Sequence, residues 1–111
     1  VLDPFHFGIG STVVVTGATG TPLVTKAGEF MRGRVGAYWC QVLGVEECIV
    51  DDTEAYARKA VEIAGNLPLR NRLRATILKN NFRLYENLQP VDALIGFLRS
   101  IARTGEVPES P

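Results

Sequence analysis

The chain is 111 residues long, room for one domain, and its 46% hydrophobic and 22% charged residues match an ordinary globular fold. Twelve basic and twelve acidic side chains cancel, so no cationic surplus addresses nucleic acid or an anionic membrane. The longest uncharged stretch, 7–25, is broken by glycines, threonines and a proline, which excludes a membrane span there.

Val1-Leu2-Asp3 reads as the end of a strand that Asp3-Pro4 closes, and 4–12 reads as a loop. Starting in this way, with no signal peptide in view, the chain reads as a fragment or processed piece with a cytoplasmic location. Val13-Val14-Val15-Thr16 is ambiguous. Its β-branched run favours a strand, and Gly17 and Gly20 would each cost a helix interior about 1 kcal/mol. Pro22 to Thr25 reads as a short buried strand.

A helix is expected from about Phe30 to Leu43, with Met31, Val35, Tyr38 and Val42 as one apolar stripe and Gly44 as its stop. Tyr38 and Trp39, at helical spacing beside Val35 and Val42, read as core. Cys48-Ile49-Val50 is a short strand. Asp52 then fits an N-cap, with Glu54 in the first turn of a helix that reaches about Ala64 and faces inward through Tyr56, Ala60 and Ile63. Gly65-Asn66 breaks that helix, and Asn66 caps the next, Leu67 to about Asn81, with Pro68 in its first turn and Leu69, Leu73 and Ile77 as its stripe. Arg70, Arg72 and Arg74 read as its solvated face. The last helix, from about Pro90 to Arg103, carries Val91, Leu94, Ile95, Leu98 and Ile101 on one side.

One domain thus spans 1–103, and 104–111 reads as a flexible tail. Strands alternating with helices argue for an α/β fold with short parallel strands and a helical C-terminal half. So few strands make it the carboxyl-terminal part of a doubly wound domain. Cys40 and Cys48 read as buried reduced thiols, and with His6 as the sole histidine no standard metal site can be assembled.

The loop Gly8-Ile9-Gly10-Ser11-Thr12 is either a glycine turn with an N-cap or a phosphate-holding loop. Arg34 either orients this region and approaches a phosphate, or pairs with Glu29. His6 reads as a loop-surface residue, so the catalytic residues stay unassigned. No Gly-Lys-Ser or Gly-Lys-Thr completes a Walker loop.

Asp3-Pro4-Phe5, Gly8-Ile9-Gly10-Ser11-Thr12, Gly20-Thr21-Pro22-Leu23-Val24-Thr25 and Gly28-Glu29-Phe30-Met31-Arg32-Gly33-Arg34-Val35, in that order, resemble the bacterial branch of the O-linked N-acetylglucosamine transferase family, related to plant SPINDLY-type proteins. The likeness continues through Leu43-Gly44-Val45, Glu54-Ala55-Tyr56 and Leu69-Arg70-Asn71-Arg72-Leu73-Arg74 to about Arg103. The resemblance implies a partial Rossmann-like fold, the end of the donor-binding lobe of a GT-B glycosyltransferase. It implies a nucleotide-sugar donor, UDP-linked and carrying N-acetylglucosamine, transfer to a protein acceptor, and no further cofactor. It places the donor diphosphate on Gly10, Ser11 and Thr12. It also implies partners outside this chain, namely an N-terminal catalytic lobe and tetratricopeptide repeats.

Two departures bear on the chemistry. Val15 stands where the family carries a ribose-gripping acid, and 13–19 is a poor helix former where the family has a helix. The competing expectation is therefore an inactive remnant serving as an interaction or oligomerisation module, a homo-oligomer built on an uncovered apolar face.

Overall fold

In the computed structural model, which describes residues 1–85 and 87–104, Leu2 bridges Val24 in parallel, and strand β1 (Thr25–Lys26) pairs in parallel with β2 (Ile49–Val50). The register sets Thr25 against Ile49 and Lys26 against Val50. Parallel neighbours need a crossover, and helices supply both: α1 (Thr12–Thr19) between Leu2 and β1, and α2 (Val35–Leu43) between β1 and β2. The result is a small α/β arrangement around a two-stranded parallel sheet. The helical half follows as α3 (Thr53–Gly65), α4 (Leu67–Asn80) and α5 (Gln89–Thr104), with a 3₁₀ turn at Asn81–Arg83. Thr104, expected to open the tail, still belongs to α5, and 105–111 lie outside the described residues.

Local chemistry sets several boundaries. Asp52 Oδ1 accepts the Ala55 N–H at 2.7 Å and Asn66 Oδ1 accepts the Leu69 N–H at 3.0 Å, so both expected N-caps are made. Gly20 and Gly44 close α1 and α2 in the left-handed conformation, at φ 69° and 72°. The inner faces meet in one core, where Leu73 and Ile77 of α4 sit beneath Val13 of α1, Leu23 and Val24 before β1, and Cys40 and Leu43 of α2.

Three expectations are corrected. First, 13–16, open between strand and helix with its β-branched run favouring strand, is helix. Val13 is 2% exposed, and side chains from further along the chain donate to the helix carbonyls: Arg74 Nη1 to Thr19, Asn81 Nδ2 to Gly17 at 3.4 Å, and Tyr85 Oη to Val14 at 2.8 Å. Burial and satisfied carbonyls outweigh a propensity deficit of a few tenths of a kcal/mol per valine, roughly. Second, α2 begins at Val35 rather than Phe30. Met31–Gly33 forms a 3₁₀ turn because the chain folds back on itself, the Gly28 N–H donating to the Gly33 carbonyl at 2.9 Å. Third, the face of α2 that is buried carries Gly36, Ala37, Cys40 and Leu43. Met31 and Tyr38, expected in the inward stripe, point to solvent at 85% and 57% exposure, while Trp39 is half-buried against the core.

The arginines of α4 are also more than a solvated face. Arg72 makes a bidentate pair with Glu47 at 2.6 and 3.0 Å, and Arg74 reaches the C-terminal end of α1. No helix among the described residues is long and apolar enough to cross a membrane.

Candidate functional site

The 4–12 loop is built on Asp3. This carboxylate is 2% exposed, with Oδ1 accepting the Ile9 N–H at 2.8 Å and Oδ2 accepting the Thr25 hydroxyl at 2.7 Å. Its backbone is tied as firmly. The Asp3 N–H donates to the Val24 carbonyl at 3.0 Å, and the Asp3 carbonyl accepts the Tyr56 hydroxyl at 2.8 Å. Burial, and behind it the Asp3 charge, raises the pKa of the Tyr56 phenol.

The carboxylate lies against the first turn of α2, where partial positive charge favours it. The approach is so close that a Cβ on Gly36 would stand 2.2 Å from Asp3 Oδ2. Asp3 therefore joins the loop, β1, α2 and α3 at one buried point. The sequence shows it as the residue before a proline, which carries no sign of this role.

From that anchor the loop runs out to solvent. The Gly8 N–H donates to the Arg32 carbonyl at 2.8 Å, which clips the loop to the 31–33 turn. Gly10, Ser11 and Thr12 are exposed at the start of α1. Ser11 has φ −59° and ψ −23°, and its side chain makes no capping bond. The first turn is tight, with Val13 N–H to Gly10 O at 3.2 Å and Val14 N–H to Ser11 O at 3.0 Å.

The N–H groups of Gly10, Ser11 and Thr12, and the hydroxyls of Ser11 and Thr12, enter no hydrogen bond among the described residues. Uncommitted donors at the positive end of a helix dipole form a surface that can accept an anion. Val15 lies one turn beyond Thr12, is 59% exposed, and offers no polar group there.

Arg34 lies on the 28–34 turn, to which Gly8 is clipped through Arg32. Its Nη1 donates to the Gly28 carbonyl at 3.2 Å, and it lines a groove of about 340 Å³ with Met31, Val35 and Tyr38. It thereby fastens the 28–34 turn, forms no ion pair with Glu29, and shares no hydrogen bond with Gly10, Ser11 or Thr12 among the described residues. His6 is exposed, and its carbonyl accepts Arg32 Nε at 3.3 Å. Arg32 also lies over the Phe30 ring, 4.7 Å from its centroid.

Cys40 and Cys48 are free and buried. Burial pushes their thiols up to about 12 and about 11. Neither is available as a thiolate nucleophile near neutral pH. Among the described residues no three His, Cys, Asp or Glu side chains are grouped as metal ligands would be. The geometry thus brings Gly10, Ser11 and Thr12 together at a helix start and leaves Arg34 on a neighbouring turn. No protein-family model and no curated protein matches the chain.

Proposed function

We propose that the chain is the donor-side terminal segment of a GT-B glycosyltransferase resembling the O-linked N-acetylglucosamine transferases, in which Gly10, Ser11 and Thr12 hold the diphosphate of a UDP-linked sugar. The observation that carries this reading is the start of α1. Three exposed N–H groups and two hydroxyls there have no partner among the described residues, on a loop that Asp3 and Arg32 hold in place. Such donors would stabilise the charge that gathers on the departing nucleoside diphosphate during sugar transfer. The Rossmann-like GT-B architecture, the protein acceptor and the N-acetylglucosamine donor rest on the sequence resemblance. The acceptor side and most of the acid–base chemistry would come from a lobe outside this chain, so the chain alone transfers no sugar.

The test is calorimetric titration of the folded chain with uridine diphosphate. Saturable binding that weakens roughly tenfold or more in Ser11→Ala/Thr12→Ala supports the site. Because the Ser11 side chain caps nothing, this variant keeps its fold. Val15→Glu then tightens uridine diphosphate but not pyrophosphate, since the new carboxylate serves the ribose alone. A folded chain that shows no binding at millimolar uridine diphosphate ends this reading.

One observation favours a second reading, an inactive interaction module: exposed Val15 on α1 and an uncovered apolar face on α5. Under that reading the titration with uridine diphosphate is blank.

A further inference from the structure

Every described residue from Asn87 to Arg99 is exposed, and α5 lays no broad face on the helices before it. The radius of gyration, 17.0 Å, exceeds the roughly 13 Å of a compact chain of this length. Yet α5 carries the most regular apolar stripe in the protein. Val91, Leu94, Ile95 and Leu98 share one side and are between 39% and 56% exposed. A lone helix of 16 residues is marginal in water, and this one is weakened further by Gly96 at its centre and by β-branched Val91, Ile95 and Ile101. A helix of this kind needs a covering surface.

We propose that the cover is α5 of a second copy, laid antiparallel across a two-fold axis. Charge placement selects this occupant and this direction. At about 100° per residue, Asp92, Arg99 and Arg103 fall within roughly 40° of one another on one flank of the stripe. None of them makes an ion pair among the described residues.

In an antiparallel helix pair each flank meets the same flank of its mate. With the two helices in full overlap, Asp92 of one copy lies about 3 Å along the axis from Arg99 and from Arg103 of the other, and the same contacts recur across the axis. A parallel pair would instead set this flank against the opposite one, where Ala93 and Phe97 offer no charge. The formal net charge of zero leaves no overall repulsion between copies.

The available area is sufficient. The half-exposed side chains of α5 offer roughly 400 Å² per protomer. Leu88, Phe82 and Tyr38 around the helix's first turn add about as much again, reaching the roughly 800 Å² per partner of a standard interface. The overlap also brings the far end of the second α5 to Gln89, at the rim of a groove of about 550 Å³ between Tyr38, Val42 and Phe82. The interface does not involve the Gly10–Thr12 loop, so either proposal can fail without the other.

Sedimentation velocity on the full chain tests it. The expected species has twice the 12.1 kDa monomer mass. Leu94→Asp/Leu98→Asp, at exposed positions that leave the core intact, weakens the dimer roughly a hundredfold. Asp92→Arg weakens it roughly tenfold. Adding Arg99→Asp and Arg103→Asp restores it.

Orientation is read by oxidation. Val91→Cys/Ala102→Cys, whose new thiols lie level in the antiparallel pair, cross-links into a covalent dimer, and Val91→Cys alone does not. A monomer at about 200 µM overturns the proposal and leaves the stripe to a segment of a longer protein. A dimer indifferent to Leu94→Asp/Leu98→Asp, or a Val91→Cys single variant that cross-links, overturns it equally.

Discussion

Gly36→Ala sets two effects of opposite sign against each other. In an unconstrained helix, alanine for glycine gains about 1 kcal/mol. In α2 the new methyl would stand 2.2 Å from Asp3 Oδ2 and 2.9 Å from Thr25 Oγ1, against ordinary contacts of about 3.5 Å or more. The carboxylate cannot step aside cheaply, because the Ile9 N–H and the Thr25 hydroxyl hold it from two directions at 2.8 and 2.7 Å. Shifting it by about 1 Å breaks at least one charge-assisted hydrogen bond, costing about 1.5–3 kcal/mol, and overpacking adds about 1–3 kcal/mol.

After the propensity gain is subtracted, Gly36→Ala destabilises the fold by about 2–5 kcal/mol. That is a large part of the roughly 5–15 kcal/mol available to a domain of this size. In urea the midpoint falls by about 1–2 M at unchanged slope, measured by circular dichroism at fixed protein concentration. Asp3→Ala removes the atom that the methyl strikes. The double variant Asp3→Ala/Gly36→Ala should then lose less than the sum of the singles by about 2 kcal/mol. A Gly36→Ala protein as stable as the parent, or strictly additive singles, refutes the argument that Asp3 fixes this junction.

The cysteines give a second expectation. Their folded values of about 12 and about 11 lie above the ordinary thiol value of 9.0, so the folded state keeps protons that the unfolded chain releases. Stability from these thiols is complete below about pH 9 and falls as pH rises toward the folded values, by up to about 1.4 kcal/mol per pH unit for each thiol. Urea midpoints from pH 7 to 11 measure it, and Cys40→Ala should flatten the slope. A thiol reagent should modify neither cysteine in the native protein and both in denaturant.

The Glu47–Arg72 pair gives a third expectation, with the opposite pH sign. The Arg72 hydrogen bond holds the Glu47 carboxyl below its usual value, so the stability it adds is present above about pH 4.5 and is lost as pH falls through the folded value. Both side chains are more than one-third exposed, so the effect is small. Arg72→Met should therefore lower the urea midpoint slightly at pH 7, and the difference from the parent should shrink as pH falls below about 4.5.

Features with local causes were legible in the sequence. Asp52 and Asn66 cap helices through their own neighbours, and Gly44 ends α2 through its own backbone conformation. Features with distant causes were not. Val13 to Thr16 has strand-like chemistry, and the side chains that meet carbonyls of α1, Arg74, Asn81 and Tyr85, lie 55 to 71 residues away from those carbonyls. The two sides of α2 are both apolar, so periodicity could not choose between Tyr38 and Cys40 as the inward residue. The candidate loop was legible as Gly8 to Thr12. Its exposed donors at a helix start follow from α1 being a helix, and the Arg34 bond to the Gly28 carbonyl depends on how the 28–34 turn closes. Asp3 gave no signal, since its carboxylate partners become neighbours only when the loop closes on Thr25.

The sequence by itself determined the order of elements after α1, the α/β alternation there, the capped helix starts and the amphipathic stripe of α5, because each depends on residues within a turn or two of one another. Tertiary structure decided whether 13–19 is helix or strand, which side of α2 meets the core, and that a buried carboxylate fastens the loop before α1. Each of these is a choice between local states separated by about 1 kcal/mol or less, and contacts between distant segments tip that balance.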